Sequence, residues 1–273
     1  MTAARAPTDD QAPLLVDDDG TGIRRLILNR PSQRNGLSRD LMGRLSDALS
    51  EINDTPGVRV VVLAANGPAF CSGHDLKELT AARKENDGGR AFFAATMAQC
   101  SSLMQTIMGC SKPVIASVHG MATAAGCQLV ASCDLAIAAE GAQFATPGVH
   151  IGLFCSTPMV ALSRNVGSKQ AMEMLLTGEP VSAARAAEIG LVNHAVADDE
   201  LDDAVAGMAK KIAAKSSLTL AMGKAAFYRQ RELPVARAYD YASRVMVENM
   251  LAADAEEGID ALLTRRPPQW RDR

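Results

Sequence analysis

The chain has 273 residues, which at about 150 residues per domain allows one large domain or two small ones. Lysine and arginine total 28 against 31 acidic residues, and the resulting −3 formal charge argues against a nucleic-acid-binding surface. Hydrophobic residues at 48% and charged residues at 22% exclude disorder except at the ends, while aromatics at only 4% leave small residues to fill much of the interior.

Residues 1–12 are expected to be flexible. They carry one Arg, two adjacent acids and no apolar stretch, unlike a secretory leader or an Arg-rich transit peptide. Residues 14–16 and 23–28 read as strands of a hairpin around the acidic turn Asp17, Asp18, Asp19 and Gly20. Ser38 offers an N-cap to a helix with Leu41, Leu45, Leu49 and Ile52 on one face, ending near Pro56 and Gly57. The β-branched run 60–63 suits a strand covered on both faces. Residues 82–89 are polar and mobile in character, and a helix follows through about Met108. Residues 113–118, 135–138 and 192–196 read as further strands, which gives βαβ units and an α/β core.

From Asp198 the pattern is helical through Leu263, and Pro267 and Pro268 end it. The uncharged stretch 113–133 is interrupted by Ser, His, Gly, Thr and Gln, so it is a poor membrane span. The six cysteines form no C-x-x-C pair and no zinc-type cluster, which predicts free thiols in a reducing compartment. A soluble cytoplasmic protein is expected.

Three glycine-bearing turns follow strands, at residues 28–37, 69–79 and 119–128. In open α/β folds ligands bind beyond the carboxyl ends of strands, so these turns are candidates for one crevice. Small residues there let backbone N–H groups approach a bound atom, and a helix beginning near Ala124 adds its positive end. One amide from each of the second and third turns would suit an oxyanion.

Ordered motifs along the chain resemble the crotonase (enoyl-CoA hydratase/isomerase) superfamily. They include Asn29, Arg30, Pro31 with Asn35, Gly36, Leu37; the run from Ser72 to Glu78; Lys112 and Pro113 leading to His119 and Gly120; Cys133, Asp134, Leu135; and Phe144 to Pro147. Thr177, Gly178, Glu179 and the segment from Glu257 to Arg266 continue the match. The resemblance implies an α/β crotonase-like spiral of ββα units over 13–197, with a helical trimerisation region over 198–273. It also implies a homotrimer or dimer of trimers binding acyl-CoA thioesters, with coenzyme A as part of the substrate and no separate cofactor.

By that resemblance the oxyanion donors are the amides of His74 and Ala125. Backbone at His74 and Leu76 would hold coenzyme A, and Lys77 and Arg34 would meet its phosphates. Ala124, Ala125 and Gly126 replace the family's usual three glycines. The family's two hydratase glutamates fall at Gln128 and Gly148. Gln cannot take a proton from water as a base, and Gly offers no side chain, so hydration by the usual route is expected to be lost.

His74 is the first candidate to assist in another way, since imidazole titrates near neutral pH and a related methylmalonyl-CoA decarboxylase has a similar Gly-His-Asp turn. His150 is the second, because strand alternation would place it on the face of Gly148. Asp75 is expected to support the loop, His119 and His194 to be structural, and Cys127 and Cys155 to line the acyl pocket without reacting. The segment 152–159 and the run around Cys127 look similar to the enoyl-CoA hydratase domain-containing protein 3 group. Three readings follow: an acyl-CoA enzyme of the hydratase/isomerase type, a decarboxylase or isomerase assisted by His74, and a non-catalytic acyl-CoA-binding protein.

Overall fold

A computed structural model of the chain describes residues 12–18 and 20–273. The first eleven residues of the expected flexible start, and Asp19 of the acidic turn, lie outside the described residues. Strands β1 (Leu14–Asp18) and β2 (Ile23–Leu28) form the expected hairpin, with Leu14 opposite Leu28. Helix α1 (Arg39–Asp54) starts where Ser38 Oγ accepts from the Leu41 amide at 3.1 Å. Its stripe of Leu41, Leu45, Leu49 and Ile52 is fully buried.

Strand β3 (Val60–Ala65) shows why its apolar run is continuous. Val61 and Leu63 join the main core with Leu28, Leu45 and Leu103, while Val60 and Val62 face a second core with Ile115 and Ile137. Next come β4 (Ala69–Cys71), α2 (Leu76–Ala82) and α3 (Arg90–Gly109). The pattern of two strands and a helix repeats with β5 (Val114–Val118), β6 (Met121–Thr123) and α4 (Ala125–Ser132). It repeats again with β7 (Leu135–Ala139), β8 (Gln143–Ala145), a 3₁₀ helix (Pro147–Ile151), α5 (Pro158–Leu162) and α6 (Ser168–Thr177). The α/β core closes with β9 (Val181–Ser182), α7 (Ala183–Glu188) and β10 (His194–Val196).

In each repeat the first strand enters a large sheet, ordered β1-β2-β3-β5-β7-β10, and the second enters a small one, ordered β4-β6-β8-β9. This is the ββα spiral of the crotonase fold. The small sheet has no counterpart in the sequence reading, because strands of two or three residues are too short to show a period.

The C-terminal stretch is helical as expected, with α8 (Leu201–Ala213), α9 (Ser217–Gln230), α10 (Val235–Leu251) and α11 (Ala253–Leu263). Helix α8 closes the second face of the large sheet, where Leu201, Val205 and Ala209 pack on Ile23, Val60 and Ile137. Helix α9 is fixed by Lys224, whose Nζ lies 2.6 Å from Asp134 Oδ2 and donates to the Ile107 and Lys112 carbonyls at 3.0 Å. By contrast, α10 and α11 leave Tyr239, Met246, Met250, Leu262 and Leu263 exposed. Among the described residues no helix is long and apolar enough to cross a membrane.

Candidate active site

Strands β4, β6 and β8 are parallel neighbours, so the turns that follow them emerge side by side. The first turn, after β2, is stitched to the second. The Leu37 amide donates to the Gly73 carbonyl at 2.7 Å and the Asp75 amide to the Leu37 carbonyl at 3.1 Å. Asn35, buried and left-handed at φ 54°, accepts from the Arg30 amide and donates to the Asn66 and Ala69 carbonyls, each at 2.8 Å. Asn tolerates that backbone region better than other non-glycine residues.

The second and third turns meet at Gly73, which has φ 94°. A Cβ there would lie 3.0 Å from Ala124 Cβ and 3.5 Å from the Ala125 nitrogen. Gly126 is more constrained still, since a Cβ on it would overlap the Cys71 carbonyl. The three turns therefore lie against one another.

Two amides remain free there. His74 forms a parallel bridge with Leu37. That bridge uses the Gly73 carbonyl and the Asp75 amide, which flank His74, so the His74 N–H points away from Leu37. Ala125 is the first residue of α4, where an N–H has no intrahelical acceptor, and Ala124 before it supplies no side-chain cap. Among the described residues neither amide donates to a carbonyl of the surrounding turns.

The His74 imidazole is partly buried, and neither ring nitrogen completes a hydrogen bond of good geometry, leaving only a weaker contact with the Leu37 backbone. Burial pushes it below its ordinary 6.5, with the Leu37 backbone opposing the shift. Asp75 supports the loop as expected, accepting from the Lys77 amide at 2.9 Å and from Arg30 at 2.8 Å. Burial alone would raise its carboxyl, but the Arg30 and Lys77 hydrogen bonds outweigh that and hold it below the usual carboxylate range. Arg34, Leu76 and Lys77 are exposed on the first and second turns.

Gln128 is buried on α4, and the Cys100 thiol lies 3.9 Å from its Oε1. A cavity of about 560 Å³ between α3, α4, α5 and α9 reaches Gln128 together with Met104, Ala161 and Tyr228. Neither His74 nor Ala125 lines it. Gly148 is buried, and a Cβ on it would meet the Leu153 carbonyl oxygen at 2.6 Å and Cys155 Sγ at 2.9 Å.

His150 differs from the alternation argument. Residues Pro147–Ile151 form a 3₁₀ helix, so a period of two does not apply. The side chain is exposed, with its ring against Gly178, where a Cβ would lie 2.7 Å from Nε2. It does not line the cavity that reaches Gln128. His119 is structural, its Nε2 lying 2.8 Å from the Gly67 carbonyl.

All six cysteines are buried and free. Burial pushes the Cys127 thiol up to about 12 and raises that of Cys155, which works against nucleophilic roles. No group of three His, Cys, Asp or Glu side chains among the described residues could hold a metal ion.

The model for the enoyl-CoA hydratase/isomerase family matches residues 18–273. The chain belongs to this family. It is 46% identical over 250 residues to the rat enoyl-CoA hydratase domain-containing protein 3, mitochondrial, covering 91% of this chain and 81% of the relative. An enoyl-CoA hydratase structure from Mycobacterium smegmatis superposes with a TM-score of 0.91 at 50% identity, covering 95% of this chain and 99% of that one. The human enoyl-CoA hydratase domain-containing protein 3 structure gives 0.90 at 44% identity, covering 95% and 100%.

The relatives' names correct the cytoplasmic expectation, since the rat, mouse, frog, human and zebrafish proteins are all mitochondrial. That expectation rested on residues 1–12 and on unpaired thiols, and free thiols do not distinguish one reducing compartment from another. Sequence reasoning also passed over Thr96, a buried threonine whose hydroxyl has no hydrogen-bond partner. Its only signal is a polar residue on the apolar face of α3 that carries Cys100, Leu103 and Ile107.

Proposed function

We propose that the chain binds an acyl-CoA thioester and stabilises an enolate between the amides of His74 and Ala125. The observation that supports this reading is the approach of Gly73 to the Ala125 nitrogen, which sets the turns carrying two amides without backbone acceptors, from successive ββα units, against each other. Such donors act on charge that develops on the thioester oxygen, and they need no reorganisation when it forms. Backbone at His74 and Leu76 grips coenzyme A, while Lys77 and Arg34, both exposed, meet its phosphates.

Hydration by two carboxylates is not the reaction in this reading. Gln128 cannot serve as a base, and the ground in front of Gly148 is occupied by Leu153 and Cys155. A second reading, decarboxylation or isomerisation of an acyl-CoA with His74 assisting, is favoured by the two ring nitrogens in the oxyanion turn that complete no hydrogen bond of good geometry. The exposed apolar side chains of α10 and α11 support subunit contacts of a homotrimer or dimer of trimers.

The test is to incubate the protein with crotonyl-CoA, a 3-enoyl-CoA and methylmalonyl-CoA while following thermal stability. Thioester binding is expected to raise the melting temperature, with hydration of crotonyl-CoA weak or absent. Rapid crotonyl-CoA hydration would overturn the loss of the two-carboxylate route. Absence of any thermal shift would overturn the acyl-CoA reading.

A further inference from the structure

On the α8 side of the large sheet, a cavity of about 770 Å³ opens where β2, β3 and β5 end and the 3₁₀ turn Asp198–Glu200 leads into α8. Its floor continues the face that Ile23, Val60 and Ile115 present to that helix. Side chains alternate along a strand, so Ile27, Ala64 and Ser117 lie on the same face, and all three line the cavity. None of Arg34, His74, Leu76, Lys77 and Ala125 lines it, which separates it from the proposed thioester site. Ser117 is the exception in this floor. It is only 4% exposed, yet among the described residues no hydrogen bond reaches its hydroxyl, which gives onto the cavity. A buried hydroxyl is ordinarily paired.

The other polar groups of the lining have their donors already in use. Arg25 donates to Asp202 at 2.9 Å, and Asn66 Nδ2 donates to Asn29 Oδ1 at 2.9 Å. His119 Nε2 donates to the Gly67 carbonyl at 2.8 Å, which leaves Nδ1 as an acceptor on the neutral ring. Asp198 accepts from the Gly141 amide at 2.9 Å, and Asp199 has no partner among the described residues. What stays open to a ligand is therefore a set of acceptors: the Asp199 carboxylate, Asn66 Oδ1, His119 Nδ1 and the Ser117 hydroxyl. Three aspartates against one arginine also leave two negative charges of the lining uncompensated. Aspartates at the start of a helix serve its dipole in any case. The unpartnered serine beneath them is the feature that calls for a ligand.

We propose that this cavity binds a small aliphatic diamine or polyamine, a cation rich in N–H donors. One ammonium group meets the exposed Asp198 and Asp199 at the rim, a second donates to the acceptors deeper in, Ser117 among them, and the methylenes between lie on Ile27 and Ala64. A dication matches the two uncompensated charges. An inorganic dication matches less well, since no group of three His, Cys, Asp or Glu side chains among the described residues could hold a metal ion.

Isothermal titration of the full chain with 1,4-diaminobutane at constant ionic strength tests the site, with 1-aminobutane and magnesium chloride as comparisons. The diamine is expected to bind saturably and about tenfold more tightly than the monoamine. Asp199→Asn and Ser117→Ala should each weaken it by roughly fivefold or more, with cooperative urea unfolding retained in both variants. Absence of saturable binding would overturn the proposal, as would variants that bind like the parent. An equal response to the monoamine or to magnesium would also overturn it, by reducing the effect to screening of surface carboxylates.

Discussion

The thiol of Cys155 fills the space into which a side chain on Gly148 would grow, lying 2.9 Å from the place of its Cβ, with the Leu153 carbonyl at 2.6 Å. Position 148 is therefore closed as well as empty of a carboxylate. Gly148→Ala should destabilise the fold by about 1–3 kcal/mol, the usual cost of overpacking. Cys155→Ala in the same chain should recover part of the loss but not all, because the carbonyl contact remains. Urea denaturation of the single and double variants measures both effects.

It follows that introducing acids by Gln128→Glu with Gly148→Glu should not by itself create hydratase activity. The new side chain at 148 has to displace residues 153–155 first. The double variant is expected to melt at a lower temperature than the parent and to leave crotonyl-CoA unconverted. Hydratase activity in a variant of undiminished stability would contradict the closed site.

Ala124 holds φ 50° and ψ −117°, a backbone conformation suited to glycine. Such strain costs on the order of 1–3 kcal/mol, partly offset by glycine's greater freedom in the unfolded chain. Ala124→Gly should therefore stabilise the protein by about 1 kcal/mol, a rise of roughly 2–4 °C in melting temperature. Differential scanning calorimetry would register it.

The His74 imidazole, pushed below 6.5 by burial, gives a pH signature. Its neutral form is favoured in the folded state, so its contribution is complete above the unfolded value. As pH falls through that value the unfolded chain takes up the proton more readily, and stability is lost until the folded value is passed. Unfolding free energies at pH 7.5 and 5 should thus differ less for His74→Gln than for the parent.

Lys224 and Asp134 form a mostly buried pair, with Tyr228 donating to the other carboxylate oxygen at 2.9 Å. Lys224→Met would leave the Asp134 carboxyl buried without its counter-charge. A loss of about 3–5 kcal/mol is expected, read by chemical denaturation.

Long elements were legible because their periods repeat. The stripe from Leu41 to Ile52 and the run at Val60 both sit as read. The small sheet was not, since its strands of two or three residues leave no period. The meeting of the turns was legible in Gly73 and Gly126, whose lack of a Cβ has a steric cause. Thr96 and the closure at Gly148 depend on contacts between distant segments, which no local pattern encodes. His150 illustrates the same limit, because its direction followed from assuming a strand where Pro147 starts a 3₁₀ turn.

The two amides proposed to hold the thioester oxygen belong to the main chain, and that places them beyond the reach of ordinary mutational scanning. Alanine at 74 would keep its N–H, and 125 is alanine already. A scan would pass over the pair without registering it. The chain path at Gly73, Ala124 and Gly126 is where their placement can be disturbed, and replacing a single backbone amide by an ester would silence one donor without touching any side chain.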